Sequence, residues 1–278
     1  MSTVLLPPAP AAVAPRQTLK VTQGRVLRSE FTKFRSLRST IWTLLVAVVL
    51  MVGIGALFAA VNASQYHTFS AVSRASFSPI STSLSGTSFA VIAFGVLGVL
   101  LLSGEYSTGM IRSSLTVVPR RLPVLWGKLA VFAGVIFPVS LIASFASFFL
   151  GQALLNSHHL GVSLTAPGAL RSVVGAALYV TMAGLIGVTL GALLRSTAAG
   201  ISVFVGAFFV IPPLADVLPS SISDHLAPYL PSNAGEVLYG GAHGVHDALS
   251  PWTGFALLCG YAVVLIAAAA WRLRHVDA

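Results

Sequence analysis

SGEYSTGMIRSSLTVVPRRLPVLWGK, residues 103–128, is the one long polar interruption between two strongly apolar runs that also carries several charges. Glu105 stands directly after the apolar run that ends at Leu102. Gly109 frees the backbone, and Met110 to Val117 has the composition for about two turns of amphipathic helix. Pro119 ends that helix, and Arg120, Arg121 and Lys128 lead into the next apolar run. A short helix slung between two membrane helices and rimmed with Arg and Lys suits a cytoplasmic docking element. On position alone a solvated loop whose cations only fix topology is the better reading, so the choice falls to the residue pattern taken up below.

The surroundings of this stretch define the class. Of 278 residues, 56% are hydrophobic and only 8% charged, with a mean hydropathy of +0.89. Soluble domains carry about 25% charged residues, so this is a membrane protein. Six apolar segments each approach the roughly 20 residues that a bilayer core requires. They are Ile41–Val61, Thr87–Leu102, Leu129–Leu150, Leu170–Leu194, Ala199–Leu218 and Thr253–Trp271. The second is short as written and is expected to begin within Ser81–Gly86. The one cysteine, Cys259, lies in an apolar run and excludes an intrachain disulfide.

Basic residues set the orientation. Fourteen of the sixteen Lys and Arg lie before the first segment, in 103–128, at the Arg195 turn or in the C-terminal tail, against Arg74 and Arg171 on the other side. The positive-inside rule then places both termini in the cytoplasm. The formal net charge of +9 is therefore topology and lipid contact, and a nucleic-acid partner is excluded.

Outside the spans, residues 1–24 are rich in Pro and Ala and read as a disordered cytoplasmic tail. Residues 25–40 differ, since Leu27, Phe31, Phe34, Leu37 and Ile41 recur as one helical stripe flanked by Arg28, Glu30, Lys33, Arg35 and Arg38. A basic amphipathic helix on the inner leaflet fits this pattern, the alternative being a plain positive flank. The six-span region covers 41–272, and 273–278 is a short cytoplasmic tail. The segment 219–251 is rich in Pro and Gly and still apolar. Its stretches Leu226–Leu230 and Ala234–Tyr239 suit small helices that dip into the outer leaflet or cap a cavity. Within the spans, Gly95, Gly98, Gly184, Gly187 and Gly191 allow close helix contact, while Pro138 and Pro212–Pro213 are expected to kink or break their helices.

Few residues carry chemistry. No Gly-x-x-x-x-Gly-Lys run followed by Ser or Thr occurs, so the chain cannot cradle nucleotide phosphates in a P-loop. No ionisable side chain sits at mid-membrane, which speaks against an ion-coupled carrier. Glu236, His243, His246 and Asp247 could offer three ligands to a metal, although their glycine-rich setting has no periodicity to fix geometry. A membrane-embedded enzyme or binding module with that His/Glu site at the outer face is the alternative function. His158–His159 is a weaker metal candidate, being adjacent in sequence. No nucleophile–base or intramembrane protease constellation stands out.

Two separated stretches share a family resemblance. Ser29-Glu30-Phe31-Thr32-Lys33-Phe34-Arg35-Ser36-Leu37-Arg38-Ser39-Thr40-Ile41-Trp42 resembles the approach to the first span of bacterial ABC-2-type transporter permeases. Glu105-Tyr106-Ser107-Thr108-Gly109-Met110-Ile111-Arg112, continued by Pro-Arg-Arg and Gly-Lys, resembles their cytoplasmic loop, in which Glu-x-x-x-Gly precedes the coupling helix. The resemblance implies an all-α polytopic fold with six transmembrane helices, an interface helix, a coupling helix between spans 2 and 3 and outer re-entrant helices between spans 5 and 6. No individual residue of 219–251 can be matched to those helices. It further implies a transport subunit of the bacterial cell membrane that is not itself an enzyme and binds no cofactor. ATP and Mg would belong to a separate ATPase partner, a second permease would complete a homodimer or heterodimer, and the complex would be a pump of the exporter or multidrug-efflux kind. Glu105, Tyr106, Gly109, Met110, Arg112, Leu115, Arg120 and Arg121 would then form the ATPase joint, with Glu105 held by ion pairs to Arg112, Arg120 and Arg121 or by another partner at the cytoplasmic face. An apolar cavity, with Phe89, Phe94, Phe204 and Phe208 available to line it, would favour a hydrophobic or amphiphilic substrate, although core packing is the better reading for any one of those rings.

Overall fold

A computed structural model describes residues 23–36, 38–107, 121–241 and 247–275. The described residues are helical with no strand. Helix α1 is Gln23–Ser36 and α2 is Arg38–Gln65. Two short helices, α3 (Ala71–Ala75) and α4 (Pro79–Ser83), lead to α5 (Thr87–Ser107). After the cytoplasmic loop come α6 (Arg121–Asn156), α7 (Ala169–Leu194) and α8 (Thr197–Val205). The chain continues through a π-helical turn, Gly206–Val210, into α9 (Ile211–Asp216). Short helices α10 (Ser220–Leu226) and α11 (Pro231–Glu236) precede α12 (Pro251–His275).

Six of these stretches are long and apolar enough to cross a membrane: α2, α5, α6, α7, α8–α9 and α12. They match the six segments expected from the sequence, with corrected ends. The second span does not begin within 81–86, because Ser78 caps a separate helix that Pro79 opens. It gains its length at the other end and carries Glu105 within its last turn. Pro138 does not break α6, which runs on through it. The prolines at 212 and 213 act differently. The amide of Ile211, just before them, bonds back to the carbonyl of Gly206, five residues earlier. A wide π turn thus absorbs the mismatch where Pro212 and Pro213 can donate no bond.

Spans 2 and 4 form the centre of the subunit, with 56% and 78% of their most apolar windows buried. Glycine makes this pairing possible. A Cβ on Gly187 would stand 2.2 Å from the Gly95 carbonyl oxygen, and one on Gly98 would stand 2.3 Å from that of Gly184. The two backbones therefore touch, as small-residue stripes permit in membranes where dispersion replaces the hydrophobic effect. The outward faces of the other spans stay apolar and uncovered, as at Val49, Leu57, Ile142, Val263 and Val264. Trp42, Trp126 and Trp271 are exposed at one end of the bundle and Trp252 at the other, where interfacial tryptophans belong.

Helix α1 packs on the bundle by a face that overlaps the expected stripe only at Phe34. Its face toward the bundle is Val26, Glu30 and Phe34, while Leu27 and Phe31 are exposed and point away with Ile41. Only Phe34 of the apolar series enters the protein core, edge-on against Phe132 at 6.4 Å. Gly127 leaves room for Val26, whose Cγ1 would lie 3.0 Å from an added Cβ. Helix α1 is described to Ser36 and α2 from Arg38. Leu37 and most of the tail 1–24 lie outside the described residues.

Candidate functional site

The turn of α1 that faces the bundle puts a carboxylate, Glu30, where apolar side chains would be expected. It meets Lys128 from α6, whose ammonium lies 2.7 Å from Glu30 Oε2 and 2.7 Å from Glu105 Oε1. Lys33 closes the group at 2.9 Å from Glu30 Oε1 and 3.7 Å from Glu105 Oε1. Two carboxylates and two ammonium groups thus form one neutral cluster. Lys128 is only 2% exposed, so its charge is tolerable solely because both carboxylates meet it. The cluster ties α1 to the end of span 2 and the beginning of span 3. Those two ends flank the loop 108–120.

The charge states follow from this geometry. Burial alone would raise the Glu30 carboxyl, but Lys128 and then Lys33 outweigh it and hold the group below its ordinary value of 4.5. Burial likewise pulls Lys33 down, and Glu30 with Glu105 more than reverses it, raising the ammonium above 10.5. A depressed carboxyl stabilises the fold above 4.5 and loses that contribution as pH falls through its folded value. A raised ammonium stabilises below 10.5 and loses it as pH rises through its folded value. The α1 pairs therefore stay ionised across the neutral range. Glu105 Oε2 is buried and accepts no hydrogen bond among the described residues.

Beside the cluster lies a cavity of about 430 Å³ between α1, α2 and α5, lined by Phe34, Thr40, Thr43, Leu97 and Leu101 around the charged groups. A second joint at the same end of the bundle adds rigidity. The Arg195 guanidinium lies 5.1 Å from the centre of the Tyr106 ring, Ser103 and Thr197 share a hydroxyl hydrogen bond of 2.9 Å, and Arg272 donates to the Leu193 carbonyl.

Of the residues expected at the joint, Glu105 and Tyr106 lie in the last turn of α5. Gly109, Met110, Arg112, Leu115 and Arg120 lie outside the described residues, and of Arg121 only its place at the start of α6 is described. Among the described residues Glu105 pairs with Lys128 and Lys33, and the expected partners Arg112 and Arg120 and the Arg121 side chain lie outside them. Arg35 and Arg38 are exposed and take no part in the cluster. Sequence reasoning missed the role of Glu30 and Lys128. The available signal was Glu30 at four-residue spacing between Val26 and Phe34, and a lysine immediately ahead of a long apolar run. Phe94, Phe204 and Phe208 are buried in the protein core and line neither cavity described in this chain, while Phe89 is part-exposed. Among the described residues no three His, Cys, Asp or Glu side chains converge on a metal position, and His243 and His246 lie outside them.

An all-helical six-span bundle, with a buried ion cluster bracing the two helix ends around a polar loop, defines a polytopic membrane protein with a reinforced joint at one face. Residues 26–213 match the family described as ABC-2 family transporter protein, and the chain belongs to that family. The match takes in α1, the joint and five of the six spans. No curated protein matches the chain. It is therefore a permease-type subunit of an ABC transporter and a multi-pass membrane protein.

Proposed function

We propose that the chain is the transmembrane half of an ATP-driven exporter of hydrophobic or amphiphilic compounds, paired with a second permease and served by a separate ATPase subunit. The observation that carries this reading is the Glu30–Lys128–Glu105 cluster, which locks α1, span 2 and span 3 together around residues 108–120. A force applied to that loop would move three helices as one body rather than bend the loop alone. The loop's Met110 and Leu115 would supply apolar contacts to the ATPase. ATP and Mg stay on that partner, since this sequence has no P-loop. The fourteen-to-two division of Lys and Arg supports a cytoplasmic joint and cytoplasmic termini, and the family resemblance supports a bacterial cell membrane.

Two tests separate this from an outer-face enzyme or binding module. The tagged chain should bring down a Walker-type ATPase subunit, and Met110→Asp with Leu115→Asp should weaken that capture at least about tenfold. Single cysteines at Ser73 or Ser157 should react with an impermeant thiol reagent in intact cells, and one at Ser114 should not. Capture of no ATPase, or labelling in the reverse order, would remove the assignment.

A further inference from the structure

At the end of the bundle opposite the charge cluster, α11 carries a half-buried acid that the joint does not use. Glu236 borders a cleft of about 230 Å³ shared with Phe58 and Asn62 of α2, Thr82 of α4, Ser85 and Ser88. Protein packing holds α11 there. Gly235 sits against the Tyr179 ring, where a Cβ would come within 2.1 Å, and Gly254 of α12 would meet the Ala234 carbonyl oxygen at 2.4 Å. Tyr179 and Tyr239 stack at 6.2 Å behind the cleft, and the Tyr239 hydroxyl pairs with Ser88 at 3.3 Å.

The polar lining has a consistent sense. Thr82 donates its hydroxyl proton to the Ser78 carbonyl and Ser85 donates its own to that of Thr82. The Asn62 amide nitrogen donates to the Phe58 carbonyl, which leaves the side-chain oxygen as the group's acceptor. With their single protons turned back onto the chain, the Thr82 and Ser85 hydroxyls have only lone pairs to offer a ligand, and Asn62 adds its side-chain oxygen while keeping one N–H. Glu236 adds a carboxyl that forms no ion pair among the described residues. An array of acceptors around one carboxylate complements a group that has donors, a positive charge and no acceptor, which describes an alkylammonium. A hard metal ion would want six or more oxygens and more than one charge. The Phe58 ring supplies an apolar wall against which the first carbons of an amine, or its charge, can rest. The volume falls below the roughly 300–1,000 Å³ of pockets that swallow a whole drug-sized molecule, so the cleft fits a head group.

We propose that this cleft binds the ammonium head of an amine-bearing amphiphile, with Glu236 as its counter-charge and Asn62, Thr82 and Ser85 as hydrogen-bond acceptors. This names a substrate class for the exporter, and its position at the outer face rests on the topology proposed above; ammonium recognition itself does not. Burial pushes the Glu236 carboxyl up to about 7, with a hydrogen bond from Ser88 opposing it. Among the described residues, the other titratable groups facing it from the packed elements are Tyr179 and Tyr239. Those on α2, α4 and α5 at the cleft are neutral amide or hydroxyl groups. A cation must therefore draw the proton off Glu236, and binding should strengthen with pH until the carboxyl is ionised.

The test uses the full chain in lipid nanodiscs and dansylcadaverine, a fluorescent primary amine, beside its neutral N-acetyl derivative. We expect the amine to bind at least about tenfold tighter than the acetylated form at pH 8. That preference should fall close to tenfold for each pH unit below 7. Glu236→Gln should abolish both the preference and its pH dependence, and Asn62→Ala should weaken amine binding severalfold. Equal affinity for the two probes, an unchanged preference in Glu236→Gln, or displacement by Ca²⁺ but not by simple alkylamines would overturn the proposal. Should Glu236→Gln fail to accumulate, the two-probe comparison and pH profile of the unaltered chain still decide it. Binding is read without ATP or a partner, so its failure would leave the ATPase-capture result standing, and the converse holds too.

Discussion

Lys128→Met should all but remove the folded protein from the membrane. The substitution keeps the apolar stem and deletes one charge, leaving Glu30 and Glu105 facing each other with only the half-exposed Lys33 between them. Removing one member of a buried ion pair costs about 3–5 kcal/mol, because the survivor stays desolvated and uncompensated. Against a typical stability of about 5–15 kcal/mol, that loss decides whether the chain accumulates. The double change Lys128→Met with Glu105→Gln should recover most of the yield, since it takes away one charge of each sign and leaves Glu30 with Lys33. Size-exclusion profiles and membrane yields of the two variants would show this non-additivity. Equal yields for Lys128→Met and the unaltered chain would mean that water, not the carboxylates, solvates Lys128.

The six spans were legible because their signal is cumulative. Some twenty apolar residues outweigh any local ambiguity, and the glycines of spans 2 and 4 announced a close contact that the Gly187–Gly95 approach realises. Ends were harder. Composition stops the second span at Leu102, yet the helix runs to Ser107 because Glu105 finds a partner and need not leave the bundle. Pro138 shows the converse, since proline disfavours a helix locally and a packed span carries it through.

Part of the candidate site was legible too. A carboxylate at the membrane boundary needs a partner, which marked Glu105, but the partner lies 23 residues along the chain and its second carboxylate 98 from the lysine. Pairing across helices depends on how α1 rotates about its axis. The sequence stripe pointed to Leu27, Phe31 and Phe34, whereas packing chose Val26, Glu30 and Phe34. The two faces share Phe34, and nothing local distinguishes lipid from protein as the apolar neighbour of the rest. Glu236 was weighed with the histidines that follow it, and its setting among inward-turned hydroxyls emerged only from the approach of α4 and α5.

The claim at the centre of the account is that the cluster transmits work from the ATPase to the spans, and Glu105→Gln addresses it with the smallest perturbation. The shape is kept and one charge is lost, while Lys128 retains Glu30 at 2.7 Å and the fold keeps most of its brace. Assembly with the ATPase should persist, because the docking contacts lie on the loop. What should fail is the rigid link between loop and span 2, so ATP hydrolysis would continue without moving the helices. The deciding measurement is ATPase activity and substrate transport in the same reconstituted sample. We predict that Glu105→Gln retains at least half of the ATPase rate and loses transport by at least about tenfold. Transport at the unaltered rate in that sample, together with tolerance of Glu105→Ala, would contradict the account and reduce the cluster to a structural clasp.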